Sequence, residues 1–152
     1  MLLSRERAFT LVEVLVATGI MAFALVGILS TFITCLALMA TSKNVNAATN
    51  AAQGIIEEIR STPFTQIISK YNGMVFTVND IPSSAGVVYI NNSTAPANAN
   101  FMLATVSVCW RQGNRVIGED TNLNGVLNAG EDLNGNGIID STVQLKTMVV
   151  RK

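Results

Sequence analysis

The feature that most restricts this chain is an uncharged, largely apolar stretch from Val14 to Ala40. About 20 apolar residues in a helix span the hydrocarbon core of a bilayer, and a helix satisfies its backbone polar groups internally there. Hydrophobic residues make up 49% of the sequence, and this stretch holds much of the excess. Arg5 and Arg7 precede it. They favour a cytoplasmic N-terminus with the remainder outside that membrane, an asymmetry that Lys43 at the far end weakens slightly. A secretory signal has a short apolar core that ends at a small-residue cleavage site. Here the run is longer and passes without a turn signal into an Ala-rich helical pattern. Glu13 lies near its start. A carboxylate at that depth is costly and requires a partner, which a plain single-pass anchor would not need.

Beyond Ala40 the helical pattern persists. Ala48, Ala52, Ile55 and Ile59 recur at spacings of four, three and four and form one face, while Glu57, Glu58 and Arg60 fall mostly elsewhere. Pro63 ends the element, because the residue before a proline avoids the helical region. A helix from about Phe9 to Ser61 would be roughly 78 Å long at about 1.5 Å per residue, so its outer half must pack on something else. Gly19 and Gly27 interrupt the apolar half; they read equally as close-packing points or as ordinary membrane-helix glycines.

The run Ala8-Phe9-Thr10-Leu11-Val12-Glu13-Val14-Leu15-Val16-Ala17 resembles the processing signature of type IV prepilins and type II secretion pseudopilins. The resemblance implies a short basic leader cut before Phe9, methylation of the new N-terminus by the same prepilin peptidase, and an assembly role for Phe9 and Glu13. Ala8 stands where the family usually has Gly. Within this resemblance Glu13 would be neutralised by the N-terminal amine of a neighbouring subunit, because an unpaired carboxylate in apolar surroundings costs several kcal/mol or more. The stretch from Ala51 through Glu57, Glu58, Arg60, Pro63 and Phe64 is loosely similar to minor pilins and pseudopilins. The implied partners are other pilin subunits, an inner-membrane assembly platform, prepilin peptidase, and membrane lipid before assembly.

After Pro63 the sequence turns to short strands and polar turns. Met74 to Val78 and Val87 to Ile90 are candidate strands, and Asn91 to Asn100 reads as a loop. Phe101 to Arg111 is the clearest strand, with Met102, Ala104, Val106, Val108 and Trp110 alternating onto one face and Thr105 and Ser107 on the other. Thr142 to Val150 closes the set through Val143, Leu145 and Val149. The expected fold class is α+β, a long N-terminal helix packed on a small antiparallel sheet, as the pilin resemblance also implies. The expected organisation is a leader at 1–8, a helix at 9–61 with a transmembrane segment at about 14–40, and a β-rich domain at 62–152 with an insertion at 118–141.

That insertion is a tandem repeat of twelve-residue period. Gly118 to Ala129 aligns with Gly130 to Ser141, both reading Asp-x-Asn-x-Asn-Gly-apolar-apolar. Calcium takes six to eight oxygen ligands, which alternate residues of a tight loop can supply. In the first loop Asp120, Asn122 and Asn124 offer side-chain oxygens, Val126 its carbonyl, and Glu131 a carboxylate at the twelfth position, with Leu127 as an inward apolar anchor. In the second, Asp132, Asn134, Asn136, the Ile138 carbonyl and Asp140 are the candidates, and Val143 replaces the twelfth-position Glu. The pattern resembles EF-hand and dockerin-like calcium loops, without a helix-loop-helix context. Calcium is favoured over magnesium because all candidate ligands are oxygens, and the first loop is the better site.

The absence of histidine removes the commonest general base and zinc ligand, and no phosphate-binding glycine loop follows a strand. Catalysis is therefore not expected. Net charge is zero, so no nucleic-acid site is expected either. Cys35 and Cys109 read as two separate buried thiols rather than a disulfide. The leading expectation is a structural subunit of a type IV pilus-like filament, a minor pilin, with its C-terminal domain periplasmic until export into the filament. A type II secretion pseudopilin is the near alternative. A membrane-anchored calcium-dependent adhesion module is a further one, and it leaves Glu13 and the leader unexplained.

Overall fold

The computed structural model describes residues 10–91 and 100–151. The expectations for the leader, Ala8 and Phe9 lie outside those residues, as does most of the Asn91–Asn100 loop. The chain divides into two compact units, residues 1–40 and 41–152. Helix α1, Leu11–Ser61, begins in the first and ends in the second.

In the first unit α1 exposes its large apolar side chains, Leu11 through Met39. It is the one helix among the described residues that is long and apolar enough to cross a membrane. Cys35 lies on this exposed surface, which corrects the expectation of a buried thiol: no described residue covers it.

In the second unit the later turns of α1 bury Ala48, Ala52, Ile56 and Ile59. Ile56 takes the inward place expected of Ile55, which is only partly buried against the same core. The helix stops at Pro63, and a 3-10 turn, Phe64–Gln66, leads into a short helix α2, Ile67–Tyr71. Glu58 on α1 ties α2 down, accepting bonds from Lys70 Nζ at 2.8 Å and Tyr71 Oη at 2.9 Å. Neither short element has a periodic signature long enough to read from sequence.

Five strands form one antiparallel sheet: β1 Val75–Phe76, β2 Ser84–Asn91, β3 Phe101–Gln112, β4 Arg115–Ile117 and β5 Val143–Val150. The long β3 is central. It pairs with β2 along one edge, and with β5 and then β4 along the other, with Val88 opposite Val106 and Val106 opposite Leu145. β2 starts three residues earlier than expected. Gly86 has no side chain, and the Phe76 ring lies over it, where a Cβ would stand 2.3 Å from Cζ.

The alternating face of β3 reads as expected: Met102, Ala104, Val106, Val108 and Trp110 join the core with the α1 residues, Val88, Ile90 and Val143. The opposite face differs from a half-buried strand, because Thr105, Ser107 and Cys109 are buried too. There Val87, Cys109 and Ile139 form a second apolar cluster, with Tyr89, Leu123 and Leu127 against it. The residue 118–141 segment folds over this face and covers it. The result is an α+β unit of pilin-like architecture, helix on one side of the sheet and a looped segment on the other.

Candidate functional site

Two regions carry the residues singled out by sequence. At the start of α1, Thr10 and Glu13 form a reciprocal cap. The Glu13 backbone N–H donates to Thr10 Oγ1 at 3.2 Å, and Glu13 Oε2 accepts from the Thr10 N–H at 3.0 Å and its hydroxyl at 3.1 Å. This is a capping box, in which an N-cap Thr and a Glu three residues on satisfy each other's orphan donors. The carboxylate that needed a partner therefore has one within its own chain. Sequence reasoning missed Thr10, although the Thr-x-x-Glu spacing was available to show it.

In the second region the two repeats fold alike. Asp120 Oδ1 and Oδ2 accept from the Asn124 and Gly125 N–H groups at 3.1 and 2.7 Å; Asp132 accepts from Asn136 and Gly137 at 3.0 and 2.9 Å. Asn122 and Asn134 each accept from the N–H two residues on, at 3.0 Å in both cases. Asn124 and Asn136 do the same to Val126 and Ile138. Left-handed backbone recurs at the first, sixth and eighth positions: Gly118, Leu123 and Gly125 in one repeat, Gly130, Gly135 and Gly137 in the other. Leu123 holds this conformation at φ +60° without being glycine, a cost of roughly 1–2 kcal/mol set against its place in the second apolar cluster.

The repeats are joined by an exchange of carboxylates. Glu119, second in the first repeat, accepts from the N–H groups of Leu133 and Asp140, fourth and eleventh in the second, at 3.2 and 2.9 Å. Glu131, second in its own repeat, accepts from Thr121 and Asn128, fourth and eleventh in the first, at 3.0 and 2.9 Å. The pairing is reciprocal about a local pseudo-twofold relation. It explains why both glutamates are buried, since each carboxylate replaces water with backbone donors. The Thr121 hydroxyl at 2.7 Å and the Asn128 N–H hold the Glu131 carboxyl below the usual carboxylate range. For Asp140 burial pushes upward, but bonds from the Asn134, Gln144 and Asn136 amides prevail and hold it low. Glu119 was not among the sequence candidates; its identical position to Glu131 in the period was the available signal.

The sequence-assigned oxygen donors thus lie within two small loops, each pinned by its own backbone. Val126 O accepts from Asn128 Nδ2 at 3.2 Å. Among the described residues no three His, Cys, Asp or Glu side chains gather into one group; the remaining donors in each loop are amide and carbonyl oxygens. An ionised Asp offers about four lone-pair sites on two oxygens. Asp120 and Asp132 each spend two on backbone N–H groups and keep the others. The donor chemistry is thus all oxygen and fits a hard cation. Asp120 is fully buried beside Cys109, whose thiol is pushed up by burial, and Asp132 is only partly buried.

Residues 3–29 match the family model described as the prokaryotic N-terminal methylation motif. No curated protein and no solved structure matches the chain. The matched stretch contains Ala8, Phe9, Thr10 and Glu13 and the first turns of the apolar helix. Together with the helix-on-sheet fold, the motif supports reading the chain as a type IV pilin-like or pseudopilin-like protein of the kind that prepilin peptidase processes.

Proposed function

We propose that the chain is the precursor of a structural, non-enzymatic filament subunit, a minor pilin of a type IV pilus-like assembly. It is held in the inner membrane by α1 until it is recruited. The observation that carries this reading is the methylation motif on the first turns of a helix that outlasts its apolar run by some twenty residues and packs its later turns on a sheet. A plain anchor requires neither. The capping box adds a mechanism. In the isolated subunit Thr10 satisfies the Glu13 carboxylate, and in a filament the N-terminal amine of a neighbouring subunit takes over that charge. Pairing an ammonium with a carboxylate out of water fixes the axial register, because the mispaired charge is strongly penalised. Glu13→Ala should therefore be processed and inserted normally yet be nearly absent from sheared filaments. Incorporation at the parental level would remove Glu13 from the assembly mechanism. The pseudopilin reading shares every one of these steps and differs in the machine that receives the subunit.

The 118–141 segment is proposed to bind calcium, with Asp120, Asn122, Asn124, the Val126 carbonyl and Glu131 at the first loop. Asp132, Asn134, Asn136, the Ile138 carbonyl and Asp140 would serve a weaker second loop. Support comes from the identical turn geometry of the two repeats and from their all-oxygen donors. Calcium would supply charge neutralisation for a segment that carries five carboxylates and no Lys or Arg. Titration calorimetry of the full-length protein in detergent should give a calcium isotherm whose tighter phase Asp120→Ala abolishes, leaving only the weak binding of the second loop. A flat trace would leave the segment as a hydrogen-bonded cover for the sheet.

A further inference from the structure

We propose that the β3–β4 hairpin tip and the adjoining turn of α1 form a basic collar that rests on anionic phospholipid headgroups while the subunit waits in the membrane. The inference builds on the membrane-anchored reading of α1.

The second unit begins at Thr41, the residue after the apolar stretch. Gln112, the last residue of β3, is bonded there: its Nε2 donates to Thr41 Oγ1 at 3.3 Å and its Oε1 accepts from Asn44 Nδ2 at 2.8 Å. Trp110 Nε1 donates to the same Oε1 at 3.2 Å, so Gln112 is held from the core side as well. Beyond it the strand reverses through Gly113-Asn114, with Gly113 at φ +60°. The pattern fits a tight two-residue turn that opens on a left-handed glycine. The tip is therefore short, pinned and level with the first turn of α1 outside the apolar run.

Three cations lie at this level. Arg115 pairs directly with Gln112 across the hairpin and so shares the face that meets Thr41. Arg111 alternates onto the opposite face of the sheet. Lys43 follows Ala40 by three residues, about 4.5 Å of helical rise, and projects away from the Thr41 side of the helix. All three are exposed. None is in an ion pair; among the described residues that interaction is confined to Lys70 and Glu58. Cations that point in different directions at one height do not converge on a small ligand. They suit a plane of negative charge beneath them. For Lys43 the rise from Ala40 is well inside the Debye length of about 8 Å at physiological ionic strength.

The test uses the full chain in nanodiscs of phosphatidylcholine, alone or mixed with phosphatidylglycerol. A fluorophore is placed on Asn114→Cys in a Cys35→Ser background, the buried Cys109 staying unlabelled. Thr65→Cys, beyond the far end of α1, provides the distant control. With a headgroup-linked quencher, the Asn114 position should be quenched strongly in the anionic discs, and the Thr65 position weakly. Raising salt, omitting phosphatidylglycerol, or introducing R111Q and R115Q should each release the tip, by about fivefold in the docked-to-free ratio for each cation removed. Equal quenching at the two positions, or quenching at Asn114 indifferent to salt, lipid and the two arginines, would overturn the proposal. So would quenching seen only when several copies share a disc, because the arginines would then face a neighbour's acidic loops. A fluorophore on Cys35 with an acyl-chain quencher reports the span separately. If it is not quenched the membrane reading itself fails, whereas quenching at Cys35 without quenching at Asn114 defeats the collar alone.

Discussion

Gly118→Ala should unfold the sheet-bearing unit under conditions where the parent is stable. Gly118 sits at φ +109°, and a Cβ there would stand 2.3 Å from Cys109 Sγ and 3.1 Å from Cys109 Cβ. Cys109 is itself buried in the central strand, so neither atom can swing into solvent. The backbone strain costs about 1–3 kcal/mol and forced overpacking of a core costs about 1–3 kcal/mol more. A domain is stable by about 5–15 kcal/mol in total, so the two effects together remove a large share. Trp110, the only tryptophan, reports the result through its emission. Adding Cys109→Ala should restore part of the loss by removing the nearest atom, leaving the backbone cost. A single variant as stable as the parent would mean that the 118–141 segment does not dock on β3 as described.

Trp110→Ala should be nearly as damaging for a different reason. The indole is almost fully buried between α1 and the sheet, in one cluster with Ala48, Ala52 and Val108. Truncating a buried tryptophan costs about 3–5 kcal/mol through lost transfer energy and the residual cavity. Trp110→Phe keeps most of the volume but loses the Nε1 donor to Gln112, and should fall between the two. Because the probe residue is lost, amide hydrogen exchange across β3 and β5 is the suitable readout, with protection falling along both strands in Trp110→Ala. Unchanged protection would show that the helix-to-sheet interface is held elsewhere.

The features legible in the sequence are those with long periods. The apolar stretch, the small-residue face of α1 and the alternation of β3 each repeat over many residues and have their counterparts in the structure, with Ile56 in the place expected of Ile55; Pro63 is a single strong breaker just past the end of α1. The twelve-residue repeat was equally plain, and its two halves adopt the same turns. What stayed hidden depends on contacts between segments distant in sequence. Thr105 and Ser107 read as an exposed polar face because nothing in β3 itself announces that residues 118–141 return to cover it. The crossed use of Glu119 and Glu131 is a relation between repeats, invisible when each is read as a separate loop. β4 is three residues long, and α2 five. Both are too short for a pattern and are fixed by pairing with β3 and by the Glu58 bonds.

At the start of the chain the methylation motif was legible from local signals, and residues 3–29 match it. Glu13 was conspicuous as a lone charge at the border of an apolar run, and the capping box with Thr10 gives its carboxylate donors within the chain. In the assembly step proposed above, that carboxylate exchanges one partner for another. The basic tip at Arg111 and Arg115 was not legible. The two arginines are remote from Lys43 in sequence, and only the Gln112 bonds to Thr41 and Asn44 bring them to one level.

The most direct test of the account is mass spectrometry of the native protein's N-terminus, in cells with and without prepilin peptidase. The expected result is a chain that starts at N-methylated Phe9 when the peptidase is present and at the uncut leader when it is absent. A mature protein that retains Met1 and the leader in peptidase-bearing cells would contradict the filament reading and leave a membrane-anchored module in its place.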